Sequence, residues 1–489
     1  MERRLARVSG PIALLIIACL IGCVVNPVTG KKEFNIISES MEIEMGRSTD
    51  VSIREEYGIY DDPALNGYVE ALGKRMAPIT HRPQLPYHFS VLDTPVENAF
   101  AAPGGYIYVT RGMLAIMEDE AALAAIIGHE MGHVNARHTA RAMSRQLLLI
   151  GGVLVASALS EDIQKIAPFA IVGLQVLFLK YSRDDEYQAD SLGVQYARKI
   201  GYAPGQVIPL FTTFLRMEKN SQGPSLPNFL STHPLTDRRI EEINKMLEPG
   251  DAGLRVARPE YIKRIDGLVF GDNPRQGYVE AGAFYHPDLQ FALKIPQGWK
   301  YQNSPKQFIM ASDDEKAAVF LSAEATTKDL GVYLQEQLTA FKESQVKEVS
   351  RSPLQINGLN ALRGLYDVRP KPVEGQAETT ETPMSVDIHC IRKGSQVFTF
   401  LCAAGEADFT KYTGAIESAI RSFQPLTDPA KLNRKPLRIS MQAARGAEVF
   451  RAALKRLNAP EKQWKNLEML NGLSLDKAIG ADRAIKIVR

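Results

Sequence analysis

The chain has 489 residues, of which 45% are hydrophobic and 23% are charged, so it is a folded protein too long for a single hydrophobic core. This composition excludes a disordered, a fibrous and a polytopic membrane protein. Beyond residue 22 the basic and acidic residues balance, so the charge predicts no surface for nucleic acid.

Residues 1–22 have the pattern of an export signal, with three arginines before the apolar run PIALLIIACLIG. That run is shorter than the roughly 20 residues needed to span a bilayer. LIGC, which ends at Cys23, resembles a bacterial lipobox, in which the cysteine is acylated and becomes the mature N-terminus. We therefore predict a lipoprotein signal peptide over residues 1–22 and a lipid anchor on Cys23. The residue after this cysteine is Val24, not aspartate, which resembles the pattern of lipoproteins on the periplasmic face of the Gram-negative outer membrane.

From Ser38 to about Leu247 the spacing of apolar residues is mostly helical. The predicted helices are ESMEIEMGRSTDVSIREEYG, PALNGYVEALGKRMA, EAALAAIIGHEMGHVNARHTARAMSRQLLL and DDEYQADSLGVQYARKIG. A strand-rich insertion, YHFSVLDTPVENAFAAPGGYIYVT, precedes the third helix and turns at residues 103–105. This insertion is either an ordinary internal strand pair or an edge that binds extended substrate.

The third helix carries GHEMGHVNARH, residues 128–138. His129 and His133 are four residues apart and share one helix face, so both imidazoles can bind one ion beside Glu130. Zinc suits two nitrogens and a carboxylate, and it lowers the pKa of a water in the fourth position to about 7. Glu130 would take the proton of that water and pass it to the leaving amine. The pattern predicts one zinc ion per chain, and its apolar neighbours argue against a solvated helix end.

Spacing excludes one class of third ligand. A metzincin pattern, HExxHxxGxxH, requires glycine at position 136 and histidine at position 139. The chain has Ala136 and Thr139 there, so His138 is not the metzincin ligand.

A carboxylate on the next helix is the remaining option. SRDDEYQAD, residues 182–190, offers Glu186 as a ligand, with Asp190 one turn later to hold the free ring nitrogen of a ligating histidine. Spacing alone leaves Glu161 as a rival ligand. Two apolar runs between these helices, LLLIGGVLVASAL and IAPFAIVGLQVLFL, are predicted to be buried or lid-forming helices, with membrane insertion as the alternative.

After a linker, short alternating strands around the helix LGVYLQEQLTAFKES predict an α+β domain over residues 280–427. Its two cysteines flank a hairpin that turns near Gly394. In that register Cys390 faces Thr399 and Cys402 faces Asp387, too far apart for a disulfide, so we predict two buried thiols. Residues 432–489 follow as a third unit with the predicted order strand, helix, helix, strand.

A run of motifs is similar to peptidase family M48, over roughly residues 24–270. The motifs are NPVTGKKEFN, YGIYDDPALNGYV, NAFAAPGGYIYVTRGML, GHEMGHVNARH, YSRDDEYQAD and STHPLTDRRI. The resemblance implies a mainly α, zincin-like (gluzincin) metalloprotease domain with a small β-sheet over residues 23–265. It implies zinc endopeptidase activity with Glu186 as the third ligand, and the aspartate of the same family motif falls on Asp190. Family members include periplasmic proteases of protein quality control, so the expected substrates are unfolded or misassembled envelope proteins.

His233 lies in STHPLTDRR, which matches the histidine-proline motif of that family. Taken alone, it reads as a loop histidine that caps the next helix. The resemblance places it near the open zinc position, where an imidazole either stabilises the oxyanion or binds zinc and excludes water. We favour the second role, a plug.

The last two domains carry weaker resemblances. Through LQFALKIPQGWKYQN, residues 280–427 resemble a PsbP-like α+β sandwich. Through LEMLNGLSLDKAIGADRAIKIV, residues 432–489 resemble a LysM-like βααβ domain, which implies contact with peptidoglycan, although RGAEVF replaces the usual glycine-aspartate-threonine. The sequence thus predicts a zinc endopeptidase of the bacterial envelope. The alternative is an envelope assembly or binding factor with a mostly latent zinc site.

Overall fold

The computed structural model describes residues 23–154, 181–220, 228–234, 236–342, 344–371, 383–481 and 483–489. They form two compact units. The first contains the chain up to Arg54, Gly58–Gly271 and Leu437–Arg489, and the second contains Glu55–Tyr57 and Asp272–Pro436. Within these described ranges, no helix combines the length and the apolar character needed to cross a bilayer.

The helices and strands are numbered along the described chain. The helices are α1 (Glu39–Tyr57), α2 (Pro63–Met76), α3 (Arg111–Ile116), α4 (Glu120–Asn135), α5 (His138–Leu154), α6 (Arg183–Lys199), α7 (Val207–Asn220), α8 (Asn228–Thr232), α9 (Asp237–Met246), α10 (Arg258–Ile265), α11 (Leu330–Gln337), α12 (Phe409–Arg421), α13 (Pro429–Leu432), α14 (Phe450–Arg456) and α15 (Trp464–Asn471). The strands are β1 (Cys23–Val25), β2 (Lys32–Phe34), β3 (His88–Leu92), β4 (Ala99–Ala102), β5 (Tyr106–Thr110), β6 (Val269–Phe270), β7 (Tyr278–Glu280), β8 (Ala283–His286), β9 (Phe291–Lys294), β10 (Lys300–Asn303), β11 (Phe308–Ala311), β12 (Ala317–Ala325), β13 (Ser344–Ile356), β14 (Leu359–Pro370), β15 (Met384–Lys393), β16 (Gln396–Gly405), β17 (Gln424–Pro425), β18 (Leu437–Ala443), β19 (Glu448–Val449), β20 (Ala478–Ile479) and β21 (Ala484–Val488).

Helix α4, which carries the histidine motif, is buried along its whole length. It approaches α6 closely because the facing residues are small. A Cβ atom on Gly128 would lie 3.1 Å from the Cα of Gly193, and one on Gly132 would lie 3.1 Å from the Cα of Ala189. The glycines therefore allow the two backbones to come together and bring the acidic residues of α6 beside the histidines of α4.

The prediction of one continuous helix from residue 120 to 149 is wrong. Helix α4 ends at Asn135 and α5 begins at His138. Between them Arg137 adopts a left-handed conformation with φ of 56°, which a right-handed helix cannot contain. The apolar periodicity continues across the break, so periodicity alone does not reveal it.

The predicted strand-rich insertion is confirmed as a three-stranded sheet in the order β3-β5-β4. Strand β3 is parallel to β5, and β4 is antiparallel to it. The predicted turn at residues 103–105 is also confirmed, with positive φ values at Gly104 and Gly105. Strand β4 therefore lies at the edge of this sheet, and it contacts α4.

The N-cap of α4 provides a test of how charge affects this helix. The Asp119 side chain accepts a hydrogen bond from the Ala122 backbone N–H, and burial raises the pKa of Asp119 to about 6. In the unfolded chain Asp119 loses its proton near the ordinary pKa of aspartate. The folded protein is therefore destabilised progressively as pH rises from about 4 to 6, because the charge that forms is buried. Asp119→Asn keeps the cap and removes the charge.

We expect Asp119→Asn to raise the free energy of unfolding at pH 8 by about 1 to 2 kcal/mol. This value is the free-energy cost of a buried charge whose pKa is raised from its ordinary value to about 6, less the lost attraction between that charge and the helix dipole. Urea unfolding at pH 8 and pH 4 measures the difference, which should vanish at pH 4. A variant less stable than wild type at pH 8 would contradict this account.

Residues 437–489 have the predicted order strand, helix, helix, strand, with the short pair β19 and β20 added. They share the hydrophobic core of the first unit, to which they contribute Phe450, Leu454 and Leu467. Strand β18 pairs with both β21 and β6. The C-terminal segment is thus packed into the same unit as the histidine helix.

The second unit contains a seven-stranded sheet in the order β10-β11-β12-β16-β15-β14-β13 and a four-stranded sheet in the order β17-β9-β8-β7. Its hairpin has the predicted register, with Cys390 opposite Thr399 and Cys402 opposite Asp387. Both cysteines are free and buried, as predicted. The edge strand β13 was not predicted, because its mostly exposed residues show no apolar alternation.

Candidate metal centre

Four buried side chains converge in the first unit. They are His129 and His133 from α4, Glu186 from α6 and His233, which follows α8. One ligand atom from each lies within 4.8 Å of every other. The structure thus brings together residues more than 100 positions apart in the chain.

The ring nitrogens of this cluster face one another. His129 Nε2 lies 3.1 Å from His133 Nε2 and 3.4 Å from His233 Nδ1. Glu186 Oε1 lies 3.0 Å from His233 Nδ1 and 3.5 Å from His133 Nε2. The cluster therefore offers three nitrogens and one carboxylate oxygen around a common centre.

Helix α6 and helix α9 supply the groups around the ligands. Asp190 Oδ1 lies 3.0 Å from His129 Nδ1, although that pair is not aligned for a strong hydrogen bond. The Arg239 guanidinium donates to both Asp190 oxygens at 2.7 Å and lies 2.7 Å from Glu186 Oε2. A buried arginine thus fixes both acids of α6, since its planar fork matches carboxylates.

Burial and neighbouring charges set the protonation of the cluster. Burial lowers the pKa of His133 well below its ordinary value, which favours the neutral form that binds metals. Burial alone would raise the pKa of Glu186, but the charges of His233 and Arg239 lower it below its ordinary value. Burial opposes the charged form of His233 too, yet Glu186 and Glu130 raise its pKa.

Glu130 lies beside the cluster and is fully buried. Burial raises the pKa of Glu130, and its Oε1 atom has no hydrogen-bond partner in the described structure. That oxygen lies 3.7 Å from His233 Nε2. A buried carboxylate oxygen without a donor is available to accept a proton.

The cluster fits a zinc ion. If the Nδ1 protons of His129 and His133 point outward to Asp190 and to His138, both Nε2 lone pairs face each other across 3.1 Å. Two lone pairs at that distance repel unless a cation lies between them. Three imidazoles and a carboxylate are ligands that zinc takes in tetrahedral sites.

His233 stacks on Phe229 with the ring centroids 4.7 Å apart. The backbone N–H of Phe229 donates to the carbonyl oxygen of Glu97, just before the edge strand β4. The segment that carries His233 is thus held against both the metal centre and the start of that strand.

The predicted ligands His129, His133 and Glu186 come together, and Asp190 and His233 lie beside them; their chemical roles stay predictions. The rival ligand Glu161 lies outside the described residues. The apolar run IAPFAIVGLQVLFL and the end of the run LLLIGGVLVASAL also lie outside the described residues.

Two residues at the site were not predicted. Arg239 lies inside the motif STHPLTDRRI, but an arginine there gives no sign of its buried partners. The Tyr181 ring stacks on His133 at a centroid distance of 4.0 Å. A tyrosine in YSRDDEYQAD carried no signal of its own.

Residues 63–247 match the family model Peptidase family M48. The chain is similar to the Beta-barrel assembly-enhancing protease of Escherichia coli (strain K12), with 28% identity over 225 residues that cover 44% of this chain and 46% of that protein. It is also similar to the Mitochondrial metalloendopeptidase OMA1 of Schizosaccharomyces pombe, with 29% identity over 224 residues that cover 45% of this chain and 65% of that protein.

The chain thus spans about half the length of the E. coli relative that it matches. Among solved structures, the cyanobacterial PsbP of Synechocystis sp. PCC 6803 covers 30% of this chain and 96% of its own length, with 12% identity. Its TM-score of 0.24 is too low to assign a fold. All four side chains of the metal cluster fall within the segment that the family model matches, so the cluster belongs to the part of the chain that is similar to peptidase family M48.

Proposed function

We propose that this protein is a zinc-dependent endopeptidase of the bacterial cell envelope that degrades misfolded or misassembled envelope proteins. One observation carries the proposal. The buried ligand atoms of His129, His133 and Glu186 surround one point, beside the unpartnered Oε1 of Glu130. This is the donor set of a hydrolytic zinc centre together with its general base.

When bound, zinc supplies Lewis-acid polarisation of the peptide carbonyl and makes water nucleophilic near neutral pH. Glu130 accepts the proton of the attacking water at Oε1 and delivers it to the departing amine nitrogen as the carbon–nitrogen bond breaks. Arg239 and Asp190 keep the ligands in place, because a bidentate arginine pair has little freedom to rotate.

The edge strand β4 supports an extended substrate. No further strand of the described residues pairs with its outer edge, so a peptide chain can add there as a fourth strand once the buried edge is uncovered, and such pairing recognises main chain more than side chain. An unfolded segment can present its backbone in this way. The names of the two relatives, a protease that enhances β-barrel assembly and a mitochondrial metalloendopeptidase, fit such a substrate.

We further propose that His233 is a plug. With His233 Nδ1 3.4 Å from His129 Nε2 and 3.0 Å from Glu186 Oε1, it completes a set of four ligands and leaves no position for water. Such a closed set is typical of structural zinc sites. The same observation favours the second candidate function, an envelope assembly or binding factor with a mostly latent zinc site.

His233→Ala separates the possible roles. If His233 is a plug and the open state is populated at about 10% or less, casein cleavage should rise at least about tenfold, with self-cleavage. If it stabilises the oxyanion, cleavage should fall by about 100- to 1,000-fold while zinc stays bound. The measurements are initial rates on labelled casein and zinc content. Unchanged activity would reject both roles.

The lipid on Cys23, the location on the periplasmic face of the outer membrane and possible contact with peptidoglycan remain proposals, as do the gluzincin, PsbP-like and LysM-like folds. The lipobox-like LIGC supports the anchor. Mass spectrometry of the mature N-terminus tests it, because acylation adds a mass that an unmodified Cys23 lacks.

Casein cleavage by the purified protein tests the proposed function. We expect a strong chelator to abolish cleavage and added zinc to restore it. Zinc binding without any cleavage of casein, by wild type and by His233→Ala alike, would favour the assembly or binding factor instead.

A further inference from the structure

The break between α4 and α5 brings a third histidine of the motif back to the metal centre. On an unbroken helix His138 would point about 140° away from His133, since five residues turn a helix by about 500°. Instead His138 Nδ1 lies 2.9 Å from His133 Nδ1, with good alignment. The rings meet edge to face, with their centroids 4.9 Å apart.

The hydrogen bonds around His138 form a consistent chain. When Nε2 of His133 binds the metal, its proton lies on Nδ1 and is donated to His138 Nδ1. His138 then carries its own proton on Nε2, which lies 2.9 Å from the side-chain oxygen of Gln188. Metal binding through His133 Nε2 therefore gives every atom of this chain one role, with Asp185 Oδ1 a second oxygen near His138 Nε2, at 3.6 Å.

Contacts from residues 26–42 stabilise the break between α4 and α5. The left-handed conformation of Arg137 is unfavourable for a residue with a side chain. Its guanidinium donates to Glu42 Oε1 at 2.9 Å and to the carbonyl oxygen of Ile37 at 2.5 Å. The Asn26 side chain donates to the carbonyl oxygen of Ala136 at 3.2 Å. These buried contacts keep His138 turned toward His133.

The two histidine ligands therefore have different partners. His129 faces the carboxylate of Asp190, whereas His133 faces a neutral imidazole. A partner on the outer nitrogen fixes which nitrogen is free for the metal and how the ring is oriented. His138 is fully buried and performs no step of the proposed hydrolysis.

We propose that His138 is a positioning residue of the metal centre, which accepts the Nδ1 proton of His133 and holds Nε2 ready for zinc. The proposal rests on the proposed zinc site, but it concerns binding rather than hydrolysis. Zinc affinity is therefore the quantity that tests this role of His138.

The test compares three variants with wild type by competition for zinc with a chromogenic chelator. His138→Ala removes the acceptor and should weaken zinc binding by about 10- to 100-fold. His138→Asn places an amide oxygen where His138 Nδ1 lies, so it should keep an affinity close to wild type. His88→Ala, at an exposed histidine on β3, is the control and should bind zinc like wild type.

Nitrogen NMR of the histidine rings adds a readout that a merely structural role would not change. In zinc-loaded wild type and His138→Asn we expect His133 to carry its proton on Nδ1 only. In His138→Ala that resonance should broaden or shift. If His138→Ala does not fold, His138→Leu removes the acceptor but keeps most of the ring volume, and the same comparison applies.

Unchanged zinc affinity in folded His138→Ala would overturn this inference, and so would a His138→Asn variant as weak as His138→Ala. Either result leaves the proposed function intact. The proposed function fails by a different result, namely protein that binds no zinc, or zinc-loaded wild type and His233→Ala that both leave casein uncut.

Discussion

Glu130→Gln should lose peptide hydrolysis and keep its zinc. The amide cannot accept the proton of the attacking water, and removal of a general base lowers rates by about 100- to 10,000-fold. Zinc content should not change, because the proposed ligands are His129, His133 and Glu186. Since burial already raises the pKa of Glu130, loss of this buried charge should not destabilise the fold.

The measurement is kcat on labelled casein together with zinc content by atomic absorption. Glu44→Gln is the matched control, because Glu44 is exposed on α1 and distant in sequence from the cluster. It should cleave casein at the wild-type rate. Normal turnover by Glu130→Gln would exclude the proposed mechanism, and loss of zinc in the same variant would make Glu130 a ligand instead.

Lys486→Met should strongly destabilise the first unit, which carries the candidate metal centre. Lys486 is fully buried on β21 and donates to the carbonyl oxygens of Ala115, Met117 and Leu470, at 3.0, 2.5 and 2.8 Å. Its Nζ lies 3.0 Å from Glu118 Oε1. Methionine keeps the length of the side chain but leaves these oxygens without a donor.

We expect the free energy of unfolding to fall by about 3 kcal/mol, as when one partner of a buried ion pair is removed. Arg258 and Arg483 still contact Glu118 and limit the loss. Urea unfolding measures the change, and Lys477→Met, at an exposed position of the same C-terminal segment, should be neutral. If both variants unfold alike, the buried contacts of Lys486 do not stabilise the unit that carries α4.

The effect should reach activity as well. Ala115, Met117 and Glu118 lie directly before α4, so the C-terminal segment holds the start of the helix that carries His129 and His133. We therefore expect the casein-cleaving activity of Lys486→Met to be lost at a lower temperature than that of wild type.

The sequence by itself determined the features that depend on near neighbours in the chain. Four-residue spacing on a helix places His129 beside His133, and a two-residue turn near Gly394 fixes the register that keeps Cys390 and Cys402 apart. The glycines at positions 128 and 132 can also be read from the sequence. Their effect, the close approach of α4 to α6, depends on the tertiary structure. Family resemblance, rather than spacing, chose Glu186 over Glu161.

The tertiary structure alone decided the features that depend on distant partners. The left-handed turn at Arg137 is locally unfavourable and persists because Glu42 and Ile37, about 100 residues earlier, bind its side chain. Arg239 is positioned by its hydrogen bonds to Asp190, and Lys486 by its hydrogen bonds to carbonyl groups near residue 115. Periodicity and propensity report only the local conformational preference of the backbone. The free energy of buried contacts with residues far along the chain exceeds that preference and sets the geometry of the site.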